Sequence, residues 1–199
     1  MMNDLKKITV FCGSSNNVDQ NYFQAVEELG GVLAENNIEV IYGGGNVGLM
    51  GALARTVLKK GGRVTGIIPR KIYDNVSHIE LTDLIIVETM HERKAKMYES
   101  GDAFLALPGG IGTLEELTEI FTWYQLEYHN KPIGLLNTNG YYGPFYQMLE
   151  HMVKEGFLHQ RYMEPLLTEE DPKKLVENIR SHTVPLMNKW KQDDIGDRI

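Results

Sequence analysis

Six short apolar runs punctuate this chain, and stretches with helical spacing fill the intervals between them. The runs are ITVFCG (8–13), IEVIY (38–42), RVTGIIP (63–69), LIIVE (84–88), AFLAL (103–107) and PIGLL (132–136). A run this short and this apolar has no side meant for water, so each reads as a strand covered on both faces. The stretches 19–36, 48–60, 90–100 and 113–128 repeat their apolar residues at helical spacing, and 141–155 and 172–181 do the same after the last run. Strands joined through helices cross over rather than turn back, which makes the sheet parallel. The expected fold is α/β, a doubly wound parallel sheet flanked by helices, with ligands bound beyond the carboxyl ends of the strands.

A single domain of this Rossmann-like layout accounts for all 199 residues. The polar end, 183–199, reads as a surface arm in spite of Trp190. The segment 70–83 reads as a long loop, a feature that in compact domains is often functional. A formal net charge of −7 argues against the basic face that nucleic acid requires. Any anionic ligand must therefore be held by local donors rather than drawn in by the overall field. No apolar run is long enough to span a bilayer, and the opening MMNDLKK has no apolar signal core behind it. The one cysteine, Cys12, has no partner for an internal disulfide, so it reads as a buried, inert thiol in a reducing cytoplasm.

Two glycine-rich turns carry the chemistry. YGGGNVGLMG (42–51) contains Gly43-x-Gly45-x-x-Gly48, a formal match to the dinucleotide fingerprint between a strand and a helix. It follows the second strand rather than the first, and the place of the ribose-binding acid is taken by the apolar GIIP. Direct ligand contact and tight helix–sheet packing both remain open for it. LPGGIGTLEEL (107–117) lacks the lysine and hydroxyl ending of a Walker loop, yet its amides could cup a phosphate at a helix start. Thr113-x-x-Glu116 also reads as a capping box, with Glu116 returning a hydrogen bond to the helix start.

Upstream, TMHERKAKM (89–97) places Arg93 and Lys94 near another helix start on the same rim. Cations there oppose the helix dipole unless an anion sits nearby, so a phosphate between Arg93 and the amides of 110–113 would satisfy both. His91 reads as a structural or rim residue, and no histidine or cysteine spacing suggests a metal. Ser14 and Ser15, in CGSSNN, lack the nucleophile elbow but make a third wall for the pocket.

PGGIGTLEE, with MHERK and GGGNVGLMG before it, resembles the LOG ("Lonely guy") family of cytokinin riboside 5′-monophosphate phosphoribohydrolases. The resemblance runs from VFCGSS through KPIGLLN; the family pattern Pro-Gly-Gly-x-Gly-Thr-x-x-Glu falls unbroken on Pro108 to Glu116, and its arginine on Arg93. The same fold has been labelled "lysine decarboxylase", but no lysine here can be assigned as a Schiff base. The resemblance implies hydrolysis of the N-glycosidic bond of an adenine nucleoside 5′-monophosphate, N6-modified or plain AMP, with no cofactor or metal. It implies Glu116 and Arg93 as the catalytic pair. The backbone of Gly110, Ile111, Gly112 and Thr113 would hold the 5′-phosphate with help from Lys94. Gly13, Ser14, Gly44, Met90 and Thr122 would be wall residues and Glu115 a supporting one. The loop 70–83 and the region 124–128 are where a base substituent would be felt.

The chemistry stands by itself. Breaking a ribosyl–nitrogen bond builds positive charge on the sugar, which a fixed carboxylate stabilises while it orients or deprotonates water. A non-catalytic molybdenum-cofactor carrier of the same fold is the main rival, and it need not keep both Arg93 and Glu116. An NAD-dependent oxidoreductase would rest on Gly43–Gly48 alone. The resemblance also implies a homodimer, for which the aromatic load of helix 113–128 (Phe121, Trp123, Tyr124, with Leu126) offers surface.

Overall fold

The computed structural model describes residues 4–184, so all but the first two positions of the expected polar arm lie outside the described residues. Along the chain run β1 (Lys7–Phe11), α1 (Gln20–Glu35), β2 (Glu39–Tyr42), α2 (Gly48–Lys59), β3 (Val64–Pro69), the one-turn α3 (Arg70–Tyr73) and β4 (Asp83–Val87). There follow α4 (Met90–Ser100), β5 (Ala103–Ala106), α5 (Ile111–Gln125), β6 (Ile133–Leu136), α6 (Gly143–Lys154), β7 (Leu166–Glu169) and α7 (Pro172–Ser181).

Among the described residues seven strands form one parallel sheet, in the order β4-β3-β2-β1-β5-β6-β7. The order reverses between β1 and β5, where Ile8 pairs with Ala103 and Phe11 with Ala106. The loops leaving those two strands therefore diverge, opening a crevice at the carboxyl edge of the sheet. Alternation along the strands sends Ile8 and Val10 to a core shared with α1, α2 and α7. Phe11, with Phe104 of β5, enters a second core under α4, α5 and α6. Thr9, fully buried, is satisfied by donating to the Met97 carbonyl at 2.7 Å. Local signals place the helix starts. Asp19 accepts from the Asn21 amide at 2.8 Å to cap α1, and Asp171 caps α7 ahead of Pro172.

Four departures from the sequence reading have physical reasons. The segment 70–83 is not wholly loop, because β3 runs straight into the turn of α3. β7 is an additional strand at the sheet edge; LLTE buries only its first residue fully and carries little apolar signal. β4 is the opposite edge, and its Leu84 and Ile85 are exposed rather than covered on both faces. In α5, Phe121 and Tyr124 are core residues and Trp123 packs edge-on to Tyr98, so the aromatic load is largely spent within the chain.

Candidate active site

The crevice at the switch point holds a cavity of about 380 Å³. Its walls are Val10, Phe11, Cys12, Gly13 and Ser14 from β1 and its loop, Gly43 and Met50 from around β2 and α2, Arg93 of α4, and Gly110, Ile111, Gly112, Thr113 and Glu116 at the start of α5. Eight residues proposed from sequence thus meet in one place: Gly13, Ser14, Arg93, Gly110, Ile111, Gly112, Thr113 and Glu116.

Helix α5 begins at Ile111, with Gly110 as an N-cap that has no side-chain bond. Its first intrahelical link is from the Leu114 amide to the Gly110 carbonyl at 3.1 Å. Among the described residues, the amides of Gly110, Ile111, Gly112 and Thr113 have no protein acceptor. Four free donors at the positive end of a helix dipole form an anion cup, which a chain of net negative charge has to supply locally.

The capping-box reading of Thr113 and Glu116 is corrected by this geometry. Since α5 starts two residues before Thr113, that threonine sits inside the first turn and Glu116 lies in the second, too far along to return a bond to the start. The same Thr-x-x-Glu spacing occurs once more, at Thr89 to Glu92, and there the cap is made. Thr89 Oγ1 accepts from the Glu92 amide at 3.1 Å, and Glu92 Oε2 accepts from the Glu88 amide at 3.0 Å.

Released from capping, Glu116 turns into the cavity and its Oε1 accepts from Arg93 Nη1 at 2.9 Å, with 14% of the Arg93 side chain and 12% of the Glu116 side chain exposed. Arg93 is anchored further by Nε, which donates to the Ile67 carbonyl at 3.2 Å, while Nη1 lies 3.4 Å from Met90 Sδ. Burial pushes the Glu116 carboxyl above the ordinary glutamate range, and the Arg93 guanidinium opposes that rise. Cys12 is buried at the floor, where burial and the neighbouring Glu116 drive its thiol far above the range in which it would ionise.

Gly43 makes the pair possible. A Cβ there would stand 2.2 Å from Arg93 Nη2, inside the volume of the guanidinium. Gly48, at φ +57°, lets the first turn of α2 lie against the β1 loop, where a Cβ would meet the Ser14 carbonyl carbon at 2.4 Å. The formal dinucleotide fingerprint is thus built into packing and clearance around the arginine.

The other proposed residues stand apart from the cavity. Gly44 lies behind Gly43 against Ile68, and Met90 supports Arg93 from outside. Lys94 Nζ is held by Glu115 Oε1 at 2.6 Å and Glu119 Oε1 at 2.8 Å. Burial acts to lower its pKa, but these two bonds outweigh it and the net direction is upward. Carboxylates of α5 therefore supply the anions that the cations of α4 require. Thr122 is exposed, and its hydroxyl donates back to the Thr118 carbonyl at 2.7 Å. Sequence reasoning missed Gly43 and Met50 as walls and took Cys12 for core alone. The run of three glycines was the available signal for Gly43, and its neighbour Gly44 was chosen instead.

Fold and site together define a doubly wound domain whose switch-point cavity joins a helix-start anion cup to a buried Arg–Glu pair. A family model described as "Possible lysine decarboxylase" matches residues 50–179. The cytokinin riboside 5′-monophosphate phosphoribohydrolase LOG1 of Arabidopsis thaliana is 40% identical over 197 residues, 96% of this chain and 92% of that protein. The enzyme of the same description from Rhodococcoides fascians is 47% identical over 155 residues, 77% of this chain and 78% of its own. The chain belongs to this LOG family. Among solved structures, the molybdenum cofactor binding protein of Rippkaea orientalis is similar with a TM-score of 0.67 at 23% identity, covering 90% of this chain and 98% of that one. The molybdenum cofactor carrier protein of Chlamydomonas reinhardtii gives 0.67 at 17% identity, over 88% and 96%. At such identities the likeness speaks to the fold alone.

Proposed function

We propose that this chain hydrolyses the N-glycosidic bond of adenine nucleoside 5′-monophosphates, N6-modified or plain AMP, releasing the free base and ribose 5-phosphate. The observation that carries the reading is the 2.9 Å Arg93–Glu116 pair beside four unpaired amides in one cavity. The amides of 110–113 receive the 5′-phosphate, whose binding energy aligns the bond to be broken. Glu116, held by Arg93, lies beside the sugar, stabilises the oxocarbenium-like charge and orients or deprotonates the attacking water. Relatives named as phosphoribohydrolases support the same chemistry. A pyridoxal decarboxylase would need a lysine for its imine, and among the described residues none lines this cavity.

Incubation with AMP and N6-isopentenyl-AMP, followed by chromatography, should show free adenine or N6-isopentenyladenine. No base release from a panel of purine monophosphates would sink the assignment. We also read the protein as a cytoplasmic homodimer. Supporting the dimer are the half-bare edge strand β4 with Leu84 and Ile85, and Ile111 on α5, which is 81% exposed. The cytoplasmic setting rests on the single buried thiol, Cys12.

A further inference from the structure

We propose that Tyr141 is a positioning residue that aims the Gly110 amide at the ligand phosphate. The proposal rests on the reading of 110–113 as a phosphate site. Three successive carbonyls lead into that turn, and each is tied down from outside the loop. Tyr142 Oη donates to the Leu107 carbonyl at 2.7 Å, and the Gly13 amide donates to the Pro108 carbonyl at 3.1 Å. Tyr141 Oη donates to the Gly109 carbonyl.

A trans peptide is planar, so its C=O and N–H point in opposite directions, and no cis bond occurs among the described residues. Fixing the Gly109 oxygen on Tyr141 therefore turns the Gly110 N–H the other way. The cavities on either side agree. Gly109 and Tyr141 line a neighbouring hollow of about 320 Å³, which shares Gly13, Ser14 and Gly110 with the Arg93–Glu116 cavity. The Gly109–Gly110 peptide lies where the two meet.

That peptide needs a tether. It joins two glycines, neither with a Cβ to resist rotation, so a flip is sterically cheap. A flipped peptide would present a carbonyl oxygen to the phosphate in place of a donor. The Tyr141 hydroxyl selects the donor orientation, and its ring is braced edge-on by Tyr22 at 5.9 Å and 82°. Tyr142 offers a built-in contrast. The residue after Leu107 is Pro108, which has no N–H, so Tyr142 grips the loop without an amide to aim.

The test compares Tyr141→Phe with Tyr142→Phe in the full chain, measuring AMP hydrolysis, competitive inhibition by ribose 5-phosphate, and thermal melting. Tyr141→Phe should raise KM for AMP and Ki for ribose 5-phosphate about three- to tenfold, the range of one lost hydrogen bond, with kcat within about twofold. Tyr142→Phe should lower Tm and leave KM and Ki at wild-type values. An unchanged KM and Ki in Tyr141→Phe overturns the proposal. So does an equal rise in both variants, which would mean general loosening of the loop. A wild-type protein that releases no base and binds no ribose 5-phosphate overturns the phosphate reading itself, and the role of Tyr141 with it.

Discussion

Glu116 is a carboxylate held under tension between two environments. The protein shell around it disfavours its charge, and Arg93 restores part of that loss. Because the folded chain binds this proton more tightly than the unfolded chain does, stability falls as pH rises from the ordinary glutamate range through the raised folded value. Above that window the penalty is complete. Glu116→Gln should therefore abolish base release and leave Tm at neutral pH unchanged or higher, since the amide oxygen can still accept from Arg93. A capping role would demand the opposite, a loss of about 1 kcal/mol. The acid limb of the kcat/KM profile should lie above the ordinary glutamate range, because turnover needs the ionised carboxylate. Arg93→Ala, by removing the opposing cation, should move that limb further up. A limb at or below the ordinary range would contradict the assignment.

At the scale of elements, the site is the meeting of α4 and α5 across the ends of β1, β2 and β5. Cations at the start of α4 (Arg93, Lys94) face carboxylates of α5 (Glu116, Glu115, Glu119) in pairs, and each helix supplies what the other lacks. The loop from β2 to α2 sets the clearance. Gly43→Ala should push the Arg93 guanidinium off Glu116 and lower kcat on the order of 10²-fold, as a displacement of that size does in a preorganised site. The melting temperature at neutral pH should fall too, because the displaced guanidinium leaves the buried Glu116 carboxylate without its opposing cation. Wild-type kinetics in Gly43→Ala would show that Arg93 does not need its place. This contact also marks a limit of legibility. Three consecutive glycines advertise a close approach, but nothing in the letters says which of them an arginine will cross. The two Thr-x-x-Glu spacings are identical on paper, and only the start of α5 at an exposed Ile111, rather than at Thr113, decides which one caps.

For the whole molecule, the doubly wound sheet was legible because buried parallel strands leave a plain signature of short apolar runs. The edges were not. β7 carries too little apolar sequence to announce itself, and β4 looks like an interior strand although half of it is bare. An unpaired strand edge bearing Leu84 and Ile85 is a liability that chains of this kind cover. Light scattering should accordingly report twice the chain mass, and Ile85→Lys should shift the population toward single chains. A monomeric wild-type protein would remove the dimer from the reading. Arg93 and Glu116 were reached from sequence through the family pattern on MHERK and PGGIGTLEE, because the spacing of Glu116 from Thr113 reads equally as a helix cap. Met50 and Cys12 were hidden as ordinary apolar letters whose position, beside the switch point, gives them a place in the wall.

On the proposed function, helix α5 also works as a ruler. Its open amides and its carboxylate lie on one rigid rod, and from Gly112 to Glu116 the rise is about 6 Å. On that reading, a ligand fits when the gap between its anion and its reacting carbon suits the fixed spacing from those amides to that carboxylate. Moving the phosphate from the 5′ to the 3′ oxygen changes the gap and its direction while leaving every functional group in place. Adenosine 3′-monophosphate should consequently be cleaved on the order of 10²-fold more slowly than its 5′ isomer, and equal rates would show that the helix measures nothing.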